Sequence, residues 1–272
     1  MTERMEEINS QHNSLLKLVT SLGHKKYRDE TGMFVFEGIR LFEEAVKAGY
    51  EITTVIGTHH AYNQPRVQKL LNHWQQPQCR MVVVPEALYA KVSDTEQPQG
   101  LMGVARQKHT LLQDLDTGKK ALIMILDGVQ DPGNVGALIR VADAAGCQAV
   151  VLTTGCANVY GSKVVRASMG SLFHLPVIQS INPVELADWL RLREIALLGT
   201  TLTDAQEYVE CDFTCSVAIA FGNEGAGMSE QLLQYTKKRL YIPIYGQAES
   251  LNVATAAAVI FYEAARQRRM NL

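Results

Sequence analysis

Residues 121–140 read Ala-Leu-Ile-Met-Ile-Leu-Asp-Gly-Val-Gln-Asp-Pro-Gly-Asn-Val-Gly-Ala-Leu-Ile-Arg. Six apolar residues without alternation describe a strand buried on both faces, as in a parallel sheet. A turn rich in Pro and Gly follows, then a segment with helical spacing. Downstream the same step recurs. Ala149–Leu152, Leu175–Ile178, Ile195–Leu198, Val217–Phe221 and Leu240–Ile244 read as strands with helices between most of them, and a helix follows the last. Asn182-Pro183-Val184-Glu185 is a helix start, with Asn as cap, Pro first and Glu third. Upstream, Met33–Glu37, Glu51–Ile56, Arg80–Val84 and Leu101–Ala105 read as strands. Ile39–Gly49, Pro65–Trp74 and Pro85–Val92 read as helices. Arg106–Lys120 is polar and without periodicity. The pattern predicts an α/β protein with a first domain over 1–106, a linker over 107–120 and a second domain over 121–272.

Composition narrows the class. At 272 residues, 47% hydrophobic and 20% charged, the chain can bury a core and is not dominated by disorder. Its longest apolar runs, Ala121–Leu126 and Val253–Tyr262, are too short to span a bilayer. The polar, acidic start Met1-Thr-Glu-Arg-Met-Glu-Glu does not read as a secretion signal. Cys79, Cys147, Cys156, Cys211 and Cys215 are odd in number and contain no CxxC pair, which suits reduced thiols in a cytoplasmic protein. No metal site is expected, because the histidines, including His59-His60, form no ligand spacing. Residues 1–106 carry 12 basic and 12 acidic side chains and the rest 14 and 16, giving −2 overall. That balance excludes a cationic coat of the histone kind and leaves only local clusters. These are Lys25-Lys26-Tyr27-Arg28, Lys163 with Arg166, Lys237-Lys238-Arg239, and Arg266 with Arg268-Arg269. The first is expected in a loop, with cations flanking an aromatic.

Three loops at strand ends concentrate the chemistry. In Asp127–Arg140, Asn134 is a candidate helix cap, and Gly136 lies one turn before Arg140 on the same helix face. Alone, this reads equally well as a Gly-rich turn with a surface Arg. The second loop, Phe221-Gly-Asn-Glu-Gly-Ala-Gly-Met228, has GxxGxG spacing after a late strand. It lacks the order and the following acidic residue of a dinucleotide fingerprint, and no GKS or GKT marks a P-loop. It describes backbone that approaches a ligand closely, with Glu224 on the rim. The third, Ile242–Ala254, places Ser250 as a candidate cap of the final helix and Asn252 in its first turn. The alanines at 254 and 256–258 let that helix pack tightly, within the chain or across a dimer. Ser250 has no obvious His–Asp pair and is a poor hydrolase nucleophile.

Together the loops resemble the three motifs of the SpoU/TrmH branch of the SPOUT RNA methyltransferases. Asn134 and Arg140 match N-x5-R. Gly222, Glu224 and Gly227 match G-x-E-x-x-G, and Pro243 with Ser250-Leu251-Asn252-Val253 matches the proline-led third motif. Ser162–Phe173 between them also fits. Ser10–Gly38 resembles, more loosely, the RNA-recognition domain ahead of the catalytic domain in ribosomal-RNA members, a small α/β/α sandwich like a ribosomal protein. The resemblance implies a C-terminal α/β knot, a deep trefoil with a parallel sheet, that holds S-adenosylmethionine. Gly222, Ile242 and Leu251 are the implied cofactor contacts, with Leu198 and Thr200 joining them. It implies a homodimer with its active site at the subunit interface, acting on RNA, chiefly ribosomal RNA.

The implied reaction is methyl transfer to a ribose 2′-hydroxyl. Arg140 grips phosphate and hydroxyl oxygen, since an Arg keeps its proton in nearly any site. Asn134 orients Arg140, Glu224 fixes its guanidinium, and Ser250 with Asn252 places the nucleotide. Lys25, Lys26, Arg28, Lys163 and Arg166 are the candidate RNA contacts. The rival readings are a non-catalytic RNA-binding protein, a transfer-RNA enzyme and a small-molecule methyltransferase. The charge of −2 is compatible with RNA when one folded site is read by shape, stacking and a few placed cations.

Overall fold

A computed structural model describes residues 5–74, 76 and 78–270. The chain forms two units, one running up to Lys108 together with Tyr160–Phe173, the other made of His109–Val159 and the chain from His174 onward. The first unit holds β1 (Met5–Glu7), β2 (Met33–Glu37), β3 (Ile52–Gly57), β4 (Arg80–Val83) and β5 (Leu101–Arg106). Their order is β1-β4-β3-β5-β2, with β1, β4 and β3 parallel and β5 antiparallel to both neighbours. Alternation in β2 sends Phe34 and Phe36 to one face, where Phe42 and Phe173 meet Phe36. Met33 and Val35 pack on the other, with Leu15, Leu16 and Leu88 from the helices Ser14–Ser21 and Glu86–Val92.

Two sequence expectations differ here. Lys25–Arg28 is not a loop but opens the helix Lys25–Thr31. Arg28 is buried and donates from Nη1 to the carbonyls of Leu22 (2.8 Å) and Gly23 (2.9 Å), capping the end of the preceding helix. It is spent on the fold. Lys25 and Lys26 reach Asp29 and Glu30 one turn on, so the cluster's charge is largely matched. The second difference is the segment Tyr160–Phe173, which belongs to the first unit although its sequence lies beyond 121. The Tyr160 ring stacks 4.6 Å from Phe34, and its hydroxyl both donates to Lys108 O and accepts from Lys108 N. Aromatic burial decides its place, and no local pattern announces that.

The second unit carries seven parallel strands: β6 (Leu122–Asp127), β7 (Ala149–Thr153), β8 (Val177–Ile181), β9 (Ala196–Thr200), β10 (Gln206–Glu207), β11 (Val217–Gly222) and β12 (Lys238–Tyr241). Their order is β10-β12-β9-β11-β6-β7-β8. Every residue of β6 is buried, as expected for a central parallel strand. Ile123, Ile125, Val151 and Ala218 pack on Leu186, Trp189 and Leu190 of the helix Pro183–Leu192. Asn182 caps that helix through Val184 N, as its sequence predicts. On the other face Phe221 meets Phe261 of the final helix, Val253–Met270. The predicted linker is partly core: Leu112 and Leu115 are buried against this sheet. Among the described residues no helix is long and apolar enough to cross a membrane.

The final helix is fastened at its C-terminal end. Arg268 donates to four carbonyls, those of Phe213, Lys120, Ala121 and Cys215, at 2.6–2.8 Å. Burial pulls its guanidinium below the usual Arg range. Neighbouring Gln267 accepts from Phe213 N and donates to Cys211 O. Truncating Arg268 to Ala leaves these carbonyls without their donor, so unfolding in urea should show a loss on the order of 3 kcal/mol. Lys at 268 should recover little, because one ammonium cannot serve the planar fork's acceptors.

Candidate functional site

A cavity of about 670 Å³ opens at the C-terminal ends of β9, β11 and β12. Ligands of open parallel sheets bind at those strand ends, and the volume is that of a small-molecule site. Three loops form its wall: Thr200–Thr203, Phe221–Met228, and Tyr241 to Val253 with gaps. Ala256 and Ile260 of the final helix complete it.

The 222–228 loop is folded back on itself. Asn223 and Gly227 exchange backbone hydrogen bonds, both 2.9 Å. The Asn223 side chain accepts from Gly225 N and Ala226 N and donates to Gly128 O. A Cβ on Gly222 would lie 2.2 Å from Gly227 C and Met228 N, so only glycine fits. Asn223 was not singled out in the sequence, although Asn before Glu-Gly is a turn signal. Asp127, ending β6, was also missed. It is buried and holds Thr153 Oγ1 and Ser229 N, each at 2.7 Å.

The predicted site residues fall into three groups. Thr200, Gly222, Ile242 and Leu251 line the cavity, whereas Leu198 does not; it is buried in β9 beside Ile219. Glu224, Ser250 and Asn252 also line it. Asn134 lies just behind, donating to Glu224 Oε1 and accepting from Asn252 Nδ2 at 3.0 Å. A side-chain chain Asn252–Asn134–Glu224 thus joins all three motif loops. Within this chain Asn134 and Glu224 bond each other, and neither bonds Arg140. Arg140 sits on the same helix, Pro132–Ala144, exposed, with no side-chain hydrogen bond or ion pair among the described residues. Two caps also move. Asp131, not Asn134, caps that helix by accepting from Asn134 N, with Pro132 in first position. Asn252, not Ser250, caps the final helix, through Ala254 N at 3.0 Å. Lys163 and Arg166 lie on the short helix Ser162–Ala167 of the first unit, Lys163 exposed and Arg166 half-buried.

The chemistry offered is alignment. Ser250 has no hydrogen-bonded His among the described residues, which removes the hydrolase arrangement. Burial pushes the Cys156 thiol up, away from nucleophilic thiolate. S-adenosylmethionine fits the lining. Backbone at Gly227 is open to close approach, and Met228, Leu240, Ile242 and Leu251 supply apolar wall for a flat purine.

Comparison with known proteins agrees. Residues 121–262 match the SpoU rRNA Methylase family, and residues 13–103 match the MRM3-like substrate binding domain. The chain belongs to the SpoU rRNA methylase family. Among its SpoU relatives is the 23S rRNA (guanosine(2553)-2'-O)-methyltransferase of Bacillus subtilis, 38% identical over 95% of this chain and 98% of the relative. The 23S rRNA (uridine(2479)-2'-O)-methyltransferase of Streptomyces viridochromogenes is 31% identical over 98% and 94%. A crystal structure of an AdoMet-bound rRNA methyltransferase from Sinorhizobium meliloti matches with TM-score 0.88 and 30% identity, covering 97% of this chain and 98% of that one.

Proposed function

We propose that this SpoU-family protein is an S-adenosylmethionine-dependent methyltransferase acting on a ribose 2′-hydroxyl of ribosomal RNA. The observation that carries the reading is the convergence of the three motif loops on one cavity, joined by Asn252, Asn134 and Glu224. Bound S-adenosylmethionine supplies a methyl group already activated by its sulfonium. The protein's task is therefore to place the ribose and manage the hydroxyl proton.

Gly222, Ile242, Leu251 and Thr200 hold the cofactor. Ser250 and Asn252, exposed at the rim, place the nucleotide. Asn134, itself bonded to Glu224, braces Asn252. Arg140 stabilises the developing charge on the hydroxyl oxygen while gripping the adjacent phosphate, and phosphate or water takes the proton. Arg140 does not line the cavity of its own chain. That supports a homodimer in which the arginine of one copy serves the cavity of the other. Family membership also supports reading the second unit as a deep trefoil knot. Lys163 and Arg166, with Lys25 and Lys26 in a lesser role, are the proposed RNA contacts, and the reduced thiols fit the cytoplasm.

The test is labelled methyl transfer from S-adenosylmethionine to purified ribosomal and transfer RNA, followed by mapping of the modified ribose. Label should appear at a single ribosomal 2′-hydroxyl. Transfer to transfer RNA alone would change the substrate, and binding without transfer would make the protein a non-catalytic RNA binder.

A further inference from the structure

The three motif loops do not account for how the 222–228 loop is held against the first. We propose that Asp127 and Thr153 form a clamp that positions this loop and so sets the shape of the cofactor cavity. The inference rests on the reading of that cavity as the S-adenosylmethionine site.

Asp127 ends β6 and Thr153 ends the adjacent β7. Both are almost wholly buried, at 4% and 2% exposed, where a carboxylate is costly. Thr153 Oγ1 donates to Asp127 Oδ1 at 2.7 Å and accepts from Gly128 N at 3.2 Å. The other carboxylate oxygen, Oδ2, accepts from Ser229 N at 2.7 Å. Ser229 directly follows Gly227 and Met228 of the cavity wall and caps the helix Glu230–Leu233. One carboxylate therefore fixes the start of the first motif loop and the exit of the second. Asn223, donating to Gly128 O at 3.1 Å, fixes the entry of the second loop to the same place. Gly227 and Met228 are held from both sides.

An apolar residue pair would pack this spot at lower desolvation cost, but only an acceptor with two oxygens serves a hydroxyl and a backbone N–H together. Asp127 and Thr153 are positioning residues, since neither lines the cavity. The clamp predicts that loss of one hydroxyl, at a residue that does not line the cavity and lies 47 positions before Thr200, loosens cofactor binding.

The experiment compares Thr153→Val, of similar shape without the hydroxyl, with Thr153→Ser, which keeps it. Two readouts are taken on full-length protein: amide hydrogen exchange of residues 222–229 without cofactor, and S-adenosylmethionine affinity by calorimetry. Thr153→Val should exchange faster at 222–229 and bind S-adenosylmethionine roughly tenfold more weakly. Thr153→Ser should match the wild type in both. Asp127→Asn, which sets an NH2 against one of the two donors, should resemble Thr153→Val. If Thr153→Val melts lower yet shows wild-type exchange and affinity, the pair is only structural and the proposal falls. The exchange readout needs no cofactor, so wild-type protein that fails to bind S-adenosylmethionine would overturn the reading of the cavity while the clamp is judged on exchange.

Discussion

Arg140→Ala should lower single-turnover methyl transfer roughly 10²–10⁴-fold, with S-adenosylmethionine affinity unchanged. The size follows from what a ribose hydroxyl needs. It is barely acidic at neutral pH, and negative charge builds on its oxygen as the proton departs toward phosphate or water while the carbon–oxygen bond forms and the carbon–sulfur bond breaks. A guanidinium aimed at that oxygen acts in the transition state more than in the ground state, and such contacts move kcat rather than binding. The structure makes the experiment clean. Arg140 is exposed, carries no hydrogen bond to a described side chain, and lies off the cavity lining. Its removal leaves no buried partner unpaired, so the melting temperature should stay within error. Arg140→Lys should recover part of the loss, since the charge remains and the fork is gone. Wild-type turnover in Arg140→Ala would remove the residue from the mechanism. Loss of stability in parallel with activity would mean that the side chain has a structural partner.

The same residue shows where reading the sequence ends. Asn134, Arg140, Glu224 and Asn252 stand out by type and spacing, but their pairing does not. Asn134 lies six positions before Arg140 and ninety before Glu224, yet it bonds Glu224. The strand β6 is legible because six consecutive apolar residues admit few other fates, and Asn182-Pro183 is legible because its capping chemistry is local. Arg28 is the opposite case. Its neighbours Lys25 and Lys26 suggest a nucleic-acid patch, but its guanidinium closes the carbonyls of Leu22 and Gly23. A buried arginine and a surface arginine have the same sequence signature. Phe173 and Tyr160 teach the same lesson at domain scale, because aromatic packing against Phe34 and Phe36, not chain continuity, sets their unit. The caps at Asp131 and Asn252 erred by two or three residues, the distance over which several oxygen-bearing side chains compete for the same free N–H groups.

Gly222→Ala should abolish measurable S-adenosylmethionine binding at concentrations that saturate the wild type, and should cost on the order of 2–3 kcal/mol of stability. The added methyl would sit 2.2 Å from Gly227 C, 2.2 Å from Met228 N and 2.5 Å from Gly227 O. All three are backbone atoms, so no side chain can swing aside. Nor can the loop yield cheaply, because the paired Asn223–Gly227 bonds and the Ser229–Asp127 bond hold the clashing segment from both ends. Relief must come from moving Gly227 and Met228, which form the cavity wall. The control lies three residues on. A Cβ at Gly225 meets only Asn223 Oδ1, at 3.6 Å, an ordinary contact. Gly225→Ala should therefore fold and bind within about 0.5 kcal/mol of the wild type. The pair separates two explanations that stability alone cannot. If the cavity holds the cofactor, Gly222→Ala loses affinity in its folded fraction and Gly225→Ala does not. If the cofactor sits elsewhere, Gly222→Ala melts lower but its folded fraction binds as the wild type does, and the assignment of this cavity fails.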